Sequence, residues 1–204
     1  LVAFVARKLR QYPIDFGVGT LMESIHDEAL LETGLKFLKG ICYRGVGSIE
    51  FKKDDRDGRY KMIELNARFW MQNVQATYAG VNFPLVQYMD LTDQPVDKFR
   101  YFKDGIKWLD AVQDFRAFRE LNRARELSLG TWLRSIWDVD CHAYFAGDDP
   151  KPFLREYLNI LAKFPQYLAG KLGTSDNEVS HSRKVRYDGP SPMCESRNET
   201  EISF

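Results

Sequence analysis

The chain has 204 residues, 44% of them hydrophobic, and its 29 Lys and Arg are balanced by 29 Asp and Glu. This length fits one domain, or one domain with an appendage, and it is enough to bury a hydrophobic core. A formal net charge of zero gives no broad electrostatic attraction for nucleic acid or for an anionic membrane. No apolar run approaches the roughly 20 residues that a membrane-spanning helix needs. We therefore expect neither nucleic acid nor a membrane as a partner.

The cysteines and the first residues bear on where the protein works. Cys42, Cys141 and Cys194 form neither a CxxC pair nor a disulfide framework, which is typical of a reducing cytoplasm. Residues 1–5 are apolar, but no charged segment precedes them and no cleavage site follows, so they do not fit a secretory signal. The chain does not begin with methionine, and we interpret residues 1–5 as part of a β-strand. This interpretation predicts that the chain is a fragment of a longer protein.

The first forty residues predict two extended segments and a helix. Residues 1–10 are apolar and then basic, as in a strand, and residues 11–26 read as a loop around Tyr12-Pro13 followed by a short extended piece. From Asp27, a favourable N-cap, residues 27–41 predict a helix. Its buried face carries leucines at helical spacing: Leu31, Leu35 and Leu38.

A hairpin and two short helices follow. Residues 45–53 and 59–66 are rich in strand-forming residues, and Asp57-Gly58 between them is a strong hairpin signal. A helix is expected over residues 70–78, with Gly80 near its end as a C-terminal cap. Another short helix begins at Phe83.

Composition divides the chain into three predicted parts. Residues 1–95 hold the hairpin and its flanking elements. Residues 96–172 look like a mostly helical extension, with clear helices at about 129–137 and 151–168. Residues 173–204 have few large apolar residues, and we expect a disordered tail.

The informative stretch is the predicted hairpin. Side chains alternate along a strand, so Glu64, Asn66 and Arg68 share one face. If the turn centres near Asp57, Glu50 on the partner strand falls opposite Glu64 on that face. A two-residue turn at Asp57-Gly58 would instead place Glu50 opposite Leu65, and the two carboxylates would not face each other.

The first register would create a site for a divalent cation. Two opposed carboxylates repel each other, and a cation between them removes that cost. Carboxylates with an amide oxygen suit Mg²⁺, which prefers oxygen ligands and shares itself with phosphates. Arg68 lies where it could hold a phosphoryl or carboxylate group. The alternative is a solvated hairpin face that carries ordinary charges.

The pattern of Glu50, a hairpin and then Glu64-Leu65-Asn66-Ala67-Arg68 resembles the metal-binding signature of the ATP-grasp superfamily. Its Glu-x-Asn-x-Arg form is similar to the carboxylase and carbamoyl-phosphate synthetase branch and to predicted carboxylate–amine ligases. Residues 7–20 and 80–84 resemble the segments that flank this signature, so the resemblance covers about residues 1–95. It implies an α+β fold: the C-terminal subdomain of an ATP-grasp domain, with an antiparallel sheet and packed helices, here followed by a helical extension.

The resemblance also implies residue roles. ATP and Mg²⁺, or Mn²⁺ in its place, are the expected cofactors, with Glu50, Glu64 and Asn66 as metal ligands. Arg68 would act in catalysis by steadying an acyl phosphate or the attacking group. Lys8 and Arg10 lie where the family has basic residues facing the phosphates, and Arg10 is a further candidate for catalysis. The implied reaction activates a small-molecule carboxylate with ATP and joins it to an amine.

The sequence also departs from the family. Neither the glycine-rich phosphate loop nor the adenine-side lysine of a complete enzyme is found, so we expect this fragment alone to be inactive. One alternative is an ATP-grasp-like module that serves protein–protein contacts through residues 95–172. Another is phosphoryl transfer without amide formation. Neither the substrates nor the oligomeric state is indicated.

Other residues attract attention but predict ordinary structure. Cys141-His142 near Asp138 and Asp140 fits no zinc spacing, and a partly buried strand is the better interpretation. His26 is expected at the surface or in a cap. The tryptophans look like core or packing residues: Trp70, Trp108, Trp132 and Trp137.

Overall fold

The computed structural model describes residues 2–96, 101–145, 147–155, 158 and 199–203. Its strands are β1 (Phe4–Tyr12), β2 (Val18–Ser24), β3 (Ser48–Lys53), β4 (Tyr60–Asn66), β5 (Lys107–Leu109), β6 (Cys141–His142) and β7 (Glu199–Ser203). Its helices are α1 (Glu28–Gly40), α2 (Asn73–Tyr78), α3 (Phe83–Leu91), α4 (Ala111–Arg123) and α5 (Leu129–Ser135).

The strands form one sheet in the order β4-β3-β7-β1-β2-β5-β6. All neighbours are antiparallel except β5 and β6, which run parallel. The structure is thus a mixed α and β fold built on a largely antiparallel sheet, as the α+β prediction expected. None of the helices in the described ranges is long and apolar enough to cross a bilayer.

The helix, hairpin and short helices predicted after Asp27 are present, although β3 begins at Ser48 rather than residue 45 and α2 begins at Asn73 rather than residue 70. Asp27 caps α1, accepting a hydrogen bond from the Leu30 amide at 2.9 Å, and Leu30 and Leu38 are buried. The hairpin consists of β3 and β4, whose turn is closed by a hydrogen bond from the Gly58 amide to the Asp54 carbonyl at 2.7 Å. Gly80 follows α2 with φ of +105°, a backbone conformation that favours glycine.

Burial on one side of β3 fixes which residues face the candidate site. Ile49 and Phe51 belong to the main hydrophobic core and are 0% and 2% exposed. Because successive side chains of a strand point to opposite faces, Ser48 and Glu50 lie on the other face. Core packing of the apolar residues thereby places Glu50, whose side chain is 24% exposed, on the face of β3 opposite Ile49 and Phe51.

The predicted boundary at residue 95 differs from the structure. Residues 1–143 and 198–204 cluster as one compact unit, and residues 144–197 as another. The sheet continues through β5 and β6, because β2 offers β5 a partner strand and Trp108, Leu109 and Cys141 are buried there. The helix expected at 129–137 is α5. In the second unit residues 151–155 are helical, and the rest of the helix predicted for 151–168 lies almost wholly outside the described residues.

The predicted tail also differs in its last residues. Glu199–Ser203 forms β7, which pairs with β1 on one side and β3 on the other. Without a strand in this position, β1 and β3 would each present an unpaired edge. Thr200 and Ile202 are β-branched, and such residues favour a strand. Residues 173–198 of the predicted tail lie outside the described residues.

Candidate active site on the β3–β4 hairpin

The two acidic residues of the hairpin lie directly opposite each other. Glu50 pairs with Glu64 in the antiparallel ladder, and Ser48 pairs with Asn66. Closer to the turn, Phe51 pairs with Met62, so an irregularity between Glu50 and Phe51 leaves Ile63 without a partner. This β-bulge shifts the register by one residue. The prediction that Glu50 faces Glu64 is confirmed, although the sequence did not show that a bulge produces it.

The residues that follow Glu64 form a short chain of hydrogen bonds. The Asn66 Nδ2 donates to Glu64 Oε1 at 2.6 Å, and Arg68 Nη2 donates to Asn66 Oδ1 at 3.3 Å. Glu64 and Arg68 are exposed, and Asn66 is partly buried. The structure therefore brings together the Glu-x-Asn-x-Arg side chains that were expected to share a face.

Lys8 reaches the same group from β1. Its Nζ donates to Glu50 Oε2 at 2.8 Å and lies 3.5 Å from the Gly17 carbonyl oxygen. β7 lies between β1 and β3 in the sheet, so the lysine side chain spans the width of one intervening strand. The ammonium group is buried with its stem, since the Lys8 side chain is only 5% exposed. Lys8 is thus adjacent to Glu50 of the acidic pair.

Arg10 points elsewhere. Lys8 pairs with Met22, but Arg10 pairs with Leu21, because the ladder of β1 and β2 is irregular between them. Since Met22 and Leu21 are consecutive, they face opposite sides of the sheet, and so do Lys8 and Arg10. The two residues that the family resemblance placed facing the phosphates therefore lie on opposite faces of the sheet.

The partner of Arg10 is Asp114 on α4. Arg10 donates to its two carboxylate oxygens at 2.8 and 3.0 Å, which is a bidentate ion pair. Thr20 Oγ1 and Trp132 Nε1 donate to the same carboxylate at 3.0 and 2.8 Å. Asp114 is 0% exposed. This buried network connects β1, β2, α4 and α5. It includes the guanidinium of Arg10, a residue that the family resemblance placed facing the phosphates.

Ser48 was not found by sequence reasoning. Its side chain is 0% exposed, and its hydroxyl has no hydrogen-bond partner within the part of the chain that is described. A buried hydroxyl without a partner is uncommon and calls for an explanation. As the register partner of Asn66, Ser48 shares its face and points toward the candidate site. The alternation Ser48, Glu50 along β3 is the signal that could have identified it.

The far end of the hairpin is held by polar contacts. The Arg56 guanidinium and amide beside Asp54 hold the pKa of that carboxyl well below its usual range. At the start of β4, Tyr60 donates its hydroxyl hydrogen to Asp27 at 2.5 Å. Burial, followed by this hydrogen bond, raises the pKa of Tyr60 to about 12. The hairpin is therefore fixed both at its turn and against the N-terminus of α1.

The residues present fit a hard divalent cation. Two opposed carboxylates, an amide oxygen and the unpartnered Ser48 hydroxyl are all oxygen groups of the kind that Mg²⁺ and Mn²⁺ prefer. Within the described ranges, no group of three or more His, Cys, Asp and Glu side chains is placed to hold a metal ion. The pair Glu50 and Glu64 would therefore need Asn66, and oxygens from a phosphate or from water, to complete the coordination.

Most of the residues for which the sequence predicted a structural role have such a role in the structure. Cys141 and His142 form β6, and burial raises the pKa of the Cys141 thiol to about 12. Asp138 accepts hydrogen bonds from the Lys107 ammonium at 2.7 and 2.8 Å. His26 Nε2 lies 3.0 Å from the Phe102 carbonyl oxygen.

Three of the four tryptophans pack as expected. Trp70 and Trp108 belong to the core, and Trp132 stacks on Phe118 with ring centroids 4.6 Å apart. Trp137 was expected to pack as well, but it is 89% exposed, so that expectation is wrong.

Comparison with known proteins gives partial matches over the region of the site. Residues 14–89 match the family described as carbamoyl-phosphate synthase L chain, ATP binding domain. A D-aspartate ligase of Enterococcus faecium (strain Aus0004) is 31% identical over 70 residues, which is 34% of this chain and 17% of that protein. The chain thus corresponds to a small part of the length of this relative. No solved structure matches the chain.

Proposed function

We propose that the chain is the Mg-ATP-binding part of a carboxylate–amine ligase of the ATP-grasp superfamily, because residues 14–89 match the ATP binding domain of the carbamoyl-phosphate synthase L chain. The observation that carries this proposal is the opposition of Glu50 and Glu64 across β3 and β4, with Asn66 two residues beyond Glu64. The family match supports the use of ATP and a general ligase role. The coordination of a metal ion and the joining of a carboxylate to an amine are what we propose in addition to that match.

Each site residue has a proposed task. Glu50, Glu64 and Asn66 would hold Mg²⁺ or Mn²⁺, which would neutralise charge on the phosphates when it is bound. Arg68 is exposed next to Asn66 and would steady a phosphoryl or carboxylate oxygen. Lys8 would approach the phosphates from β1. Arg10 keeps a structural task, because Asp114 binds its guanidinium on the other face of the sheet.

The proposed reaction has two steps. A carboxylate oxygen of the substrate attacks the γ-phosphorus of ATP, and the bond from that phosphorus to the β–γ bridging oxygen breaks, releasing ADP. The product is an acyl phosphate. An amine nitrogen then attacks its acyl carbon, phosphate leaves and the nitrogen loses a proton, which gives an amide. The residues contribute positioning and charge neutralisation rather than a nucleophile.

The relative suggests the first substrate to test. Because the matching protein is named a D-aspartate ligase, D-aspartate is a reasonable first carboxylate. Two further parts of the proposal rest on the sequence alone: the assignment to the C-terminal subdomain of an ATP-grasp domain, and action in a reducing cytoplasm.

The proposal is tested by measuring Mn²⁺ binding through the relaxation of water protons, with and without a non-hydrolysable ATP analogue. Glu64→Gln should weaken Mn²⁺ binding on the order of a hundredfold, because it removes a charged ligand. Glu120→Gln, which changes an exposed carboxylate on α4, should leave binding unchanged. Equal Mn²⁺ affinity in the wild type and Glu64→Gln would contradict the proposal.

The alternatives give different results in the same experiments. A module that only makes protein contacts need not bind Mn²⁺ at the hairpin at all. Phosphoryl transfer without amide formation would release ADP and leave a phosphorylated product that persists when an amine is added. In the whole protein, ligation dependent on ATP should be abolished by Glu64→Ala.

A further inference from the structure

The Asn66 side chain presents its nitrogen, not its oxygen, to Glu64. Its Nδ2 donates to Glu64 Oε1 at 2.6 Å, and its Oδ1 accepts from Arg68 Nη2 at 3.3 Å. A carboxamide binds a hard cation through its oxygen, because its nitrogen is a donor of hydrogen bonds. If Glu64 and Asn66 share one cation, the amide has to turn its oxygen toward Glu64. The Nδ2 hydrogens then lose the acceptor that they have in this structure.

An acceptor for these hydrogens lies on the opposite strand. Ser48 is the register partner of Asn66, so the two side chains share one face of the sheet. The Cβ atoms of such directly opposed residues are about 4.5–5.5 Å apart, which lets a hydroxyl and a carboxamide come within hydrogen-bond distance. Arg68 is exposed, so water can solvate its guanidinium when the Asn66 oxygen turns away. The turn of the amide therefore needs only Ser48 as a new partner.

The Ser48 hydroxyl is buried and unpaired. The residue is 0% exposed, and its Oγ makes no hydrogen bond within the part of the chain that is described. Burying a hydroxyl without a partner costs free energy in comparison with an alanine at the same position. Ser24 shows the usual arrangement, because it is also 0% exposed but donates to the Lys103 carbonyl at 2.6 Å and accepts from the Ile106 amide at 2.9 Å. The fold thus holds a free hydroxyl beside Asn66 at a cost in stability.

We propose, on the basis of the proposed function, that Ser48 is a positioning residue for Asn66. When Asn66 turns its oxygen to the cation, its Nδ2 donates to Ser48 Oγ in place of Glu64 Oε1. This hydrogen bond fixes the orientation of one ligand and frees the Glu64 oxygen for the same cation. Removal of the hydroxyl should therefore act in opposite directions on folding and on metal binding.

The test compares Ser48→Ala with Ser24→Ala in two measurements on the full chain. The affinity for Mn²⁺, measured by water-proton relaxation, should fall about tenfold in Ser48→Ala, as is typical when a residue that orients a ligand is lost. In EDTA, the urea midpoint of Ser48→Ala should lie at or above that of the wild type, because an unpaired buried hydroxyl is removed. Ser24→Ala removes a paired hydroxyl, so it should lower the urea midpoint and leave the Mn²⁺ affinity unchanged.

A double variant shows whether Ser48 acts through Asn66. Asn66→Ala should itself weaken Mn²⁺ binding. Adding Ser48→Ala to it should cause no further loss of affinity, because the hydroxyl then has no amide to orient. Losses of affinity that multiply in the double variant would overturn the proposal.

The outcomes separate this inference from the proposed function. If Glu64→Gln weakens Mn²⁺ binding and Ser48→Ala does not, the inference is wrong and the proposed function stands. If Ser48→Ala lowers the urea midpoint as Ser24→Ala does, the hydroxyl stabilises the fold and the inference is again wrong. If Glu64→Gln binds Mn²⁺ as tightly as the wild type, both are wrong.

Discussion

Arg10 and Asp114 form a bidentate ion pair between β1 and α4, with both contacts at 2.8 to 3.0 Å. Thr20 and Trp132 donate to the same buried carboxylate. One carboxylate on α4 therefore satisfies donors from three other elements of the fold, β1, β2 and α5. Removal of that carboxylate would leave a guanidinium, a hydroxyl and an indole N–H without their acceptor.

We expect Asp114→Ala to lower the free energy of unfolding by about 3–5 kcal/mol, because it leaves a buried charge unpaired. Urea denaturation followed by circular dichroism measures this loss. Asp114→Asn keeps the size of the side chain and should lose less. Glu120→Ala on the exposed face of α4 is the control. A loss below about 1 kcal/mol for Asp114→Ala would show that the network is not needed for stability.

The bulge at Ile63 gives a prediction about register. Deletion of Ile63 would make the ladder regular and still leave Glu64 next to Met62, so Glu50 should remain opposite Glu64. We expect this deletion variant to keep its affinity for Mn²⁺ within a few fold, as measured by water-proton relaxation.

The matched variant inserts one alanine between Ile63 and Glu64. Because side chains alternate with a period of two, this insertion should move Glu64 away from Glu50 and weaken Mn²⁺ binding. Loss of Mn²⁺ binding in the deletion variant, or its retention in the insertion variant, would contradict the assigned register.

Tyr60 makes the stability of the folded protein depend on pH in the alkaline range. Its pKa is raised from 10.0 to about 12, chiefly by burial and then by its hydrogen bond to Asp27. Below pH 10 the hydroxyl is protonated in both the folded and the unfolded chain, and the contribution to stability is complete. Between pH 10 and 12 the unfolded chain loses the proton first, so stability falls as the pH rises.

Urea midpoints measured from pH 9 to 11.5 should therefore fall more steeply for the wild type than for Tyr60→Phe. Phenylalanine keeps the ring and removes the titrating hydroxyl, so the difference between the two curves isolates this group. Parallel curves would show that Tyr60 has the same pKa in the folded and in the unfolded chain.

The two cysteines in the described ranges should differ in reactivity. Burial raises the pKa of Cys141 to about 12, so its thiol stays protonated near pH 8, and the side chain is only 3% exposed. Cys42 is exposed. Because the thiolate is the reactive species, iodoacetamide at pH 8 should modify Cys42 and leave Cys141 intact in the folded protein.

Peptide mass spectrometry after a short reaction measures this difference. In urea both cysteines should react, which provides the control. Rapid modification of Cys141 in the native protein would show that β6 opens readily.

The local elements were predictable because their signals are local. The Asp27 cap and leucine spacing fixed α1, and the Asp57-Gly58 turn fixed the hairpin. The acidic pair followed from strand alternation, and the family resemblance was carried by residues of this same hairpin. These features depend on neighbours within about 20 residues in sequence, where backbone periodicity and turn chemistry decide the structure.

Tertiary structure determined the contacts between segments that are distant in the sequence. Bulges in β1 and β4 determine that Lys8 turns to Glu50 while Arg10 turns to Asp114, and that Glu50 meets Glu64. Residues 107–109 and 141–142 became strands because β2 offered β5 a partner, and the burial of Trp108 and Cys141 favours the pairing. The position of a bulge cannot be identified from the alternation of apolar and polar residues along a strand. The partner of a strand cannot be identified from local sequence when that partner lies far along the chain. The sequence by itself therefore determined which residues are candidates for the chemistry, and the packing of the sheet determined which of them meet.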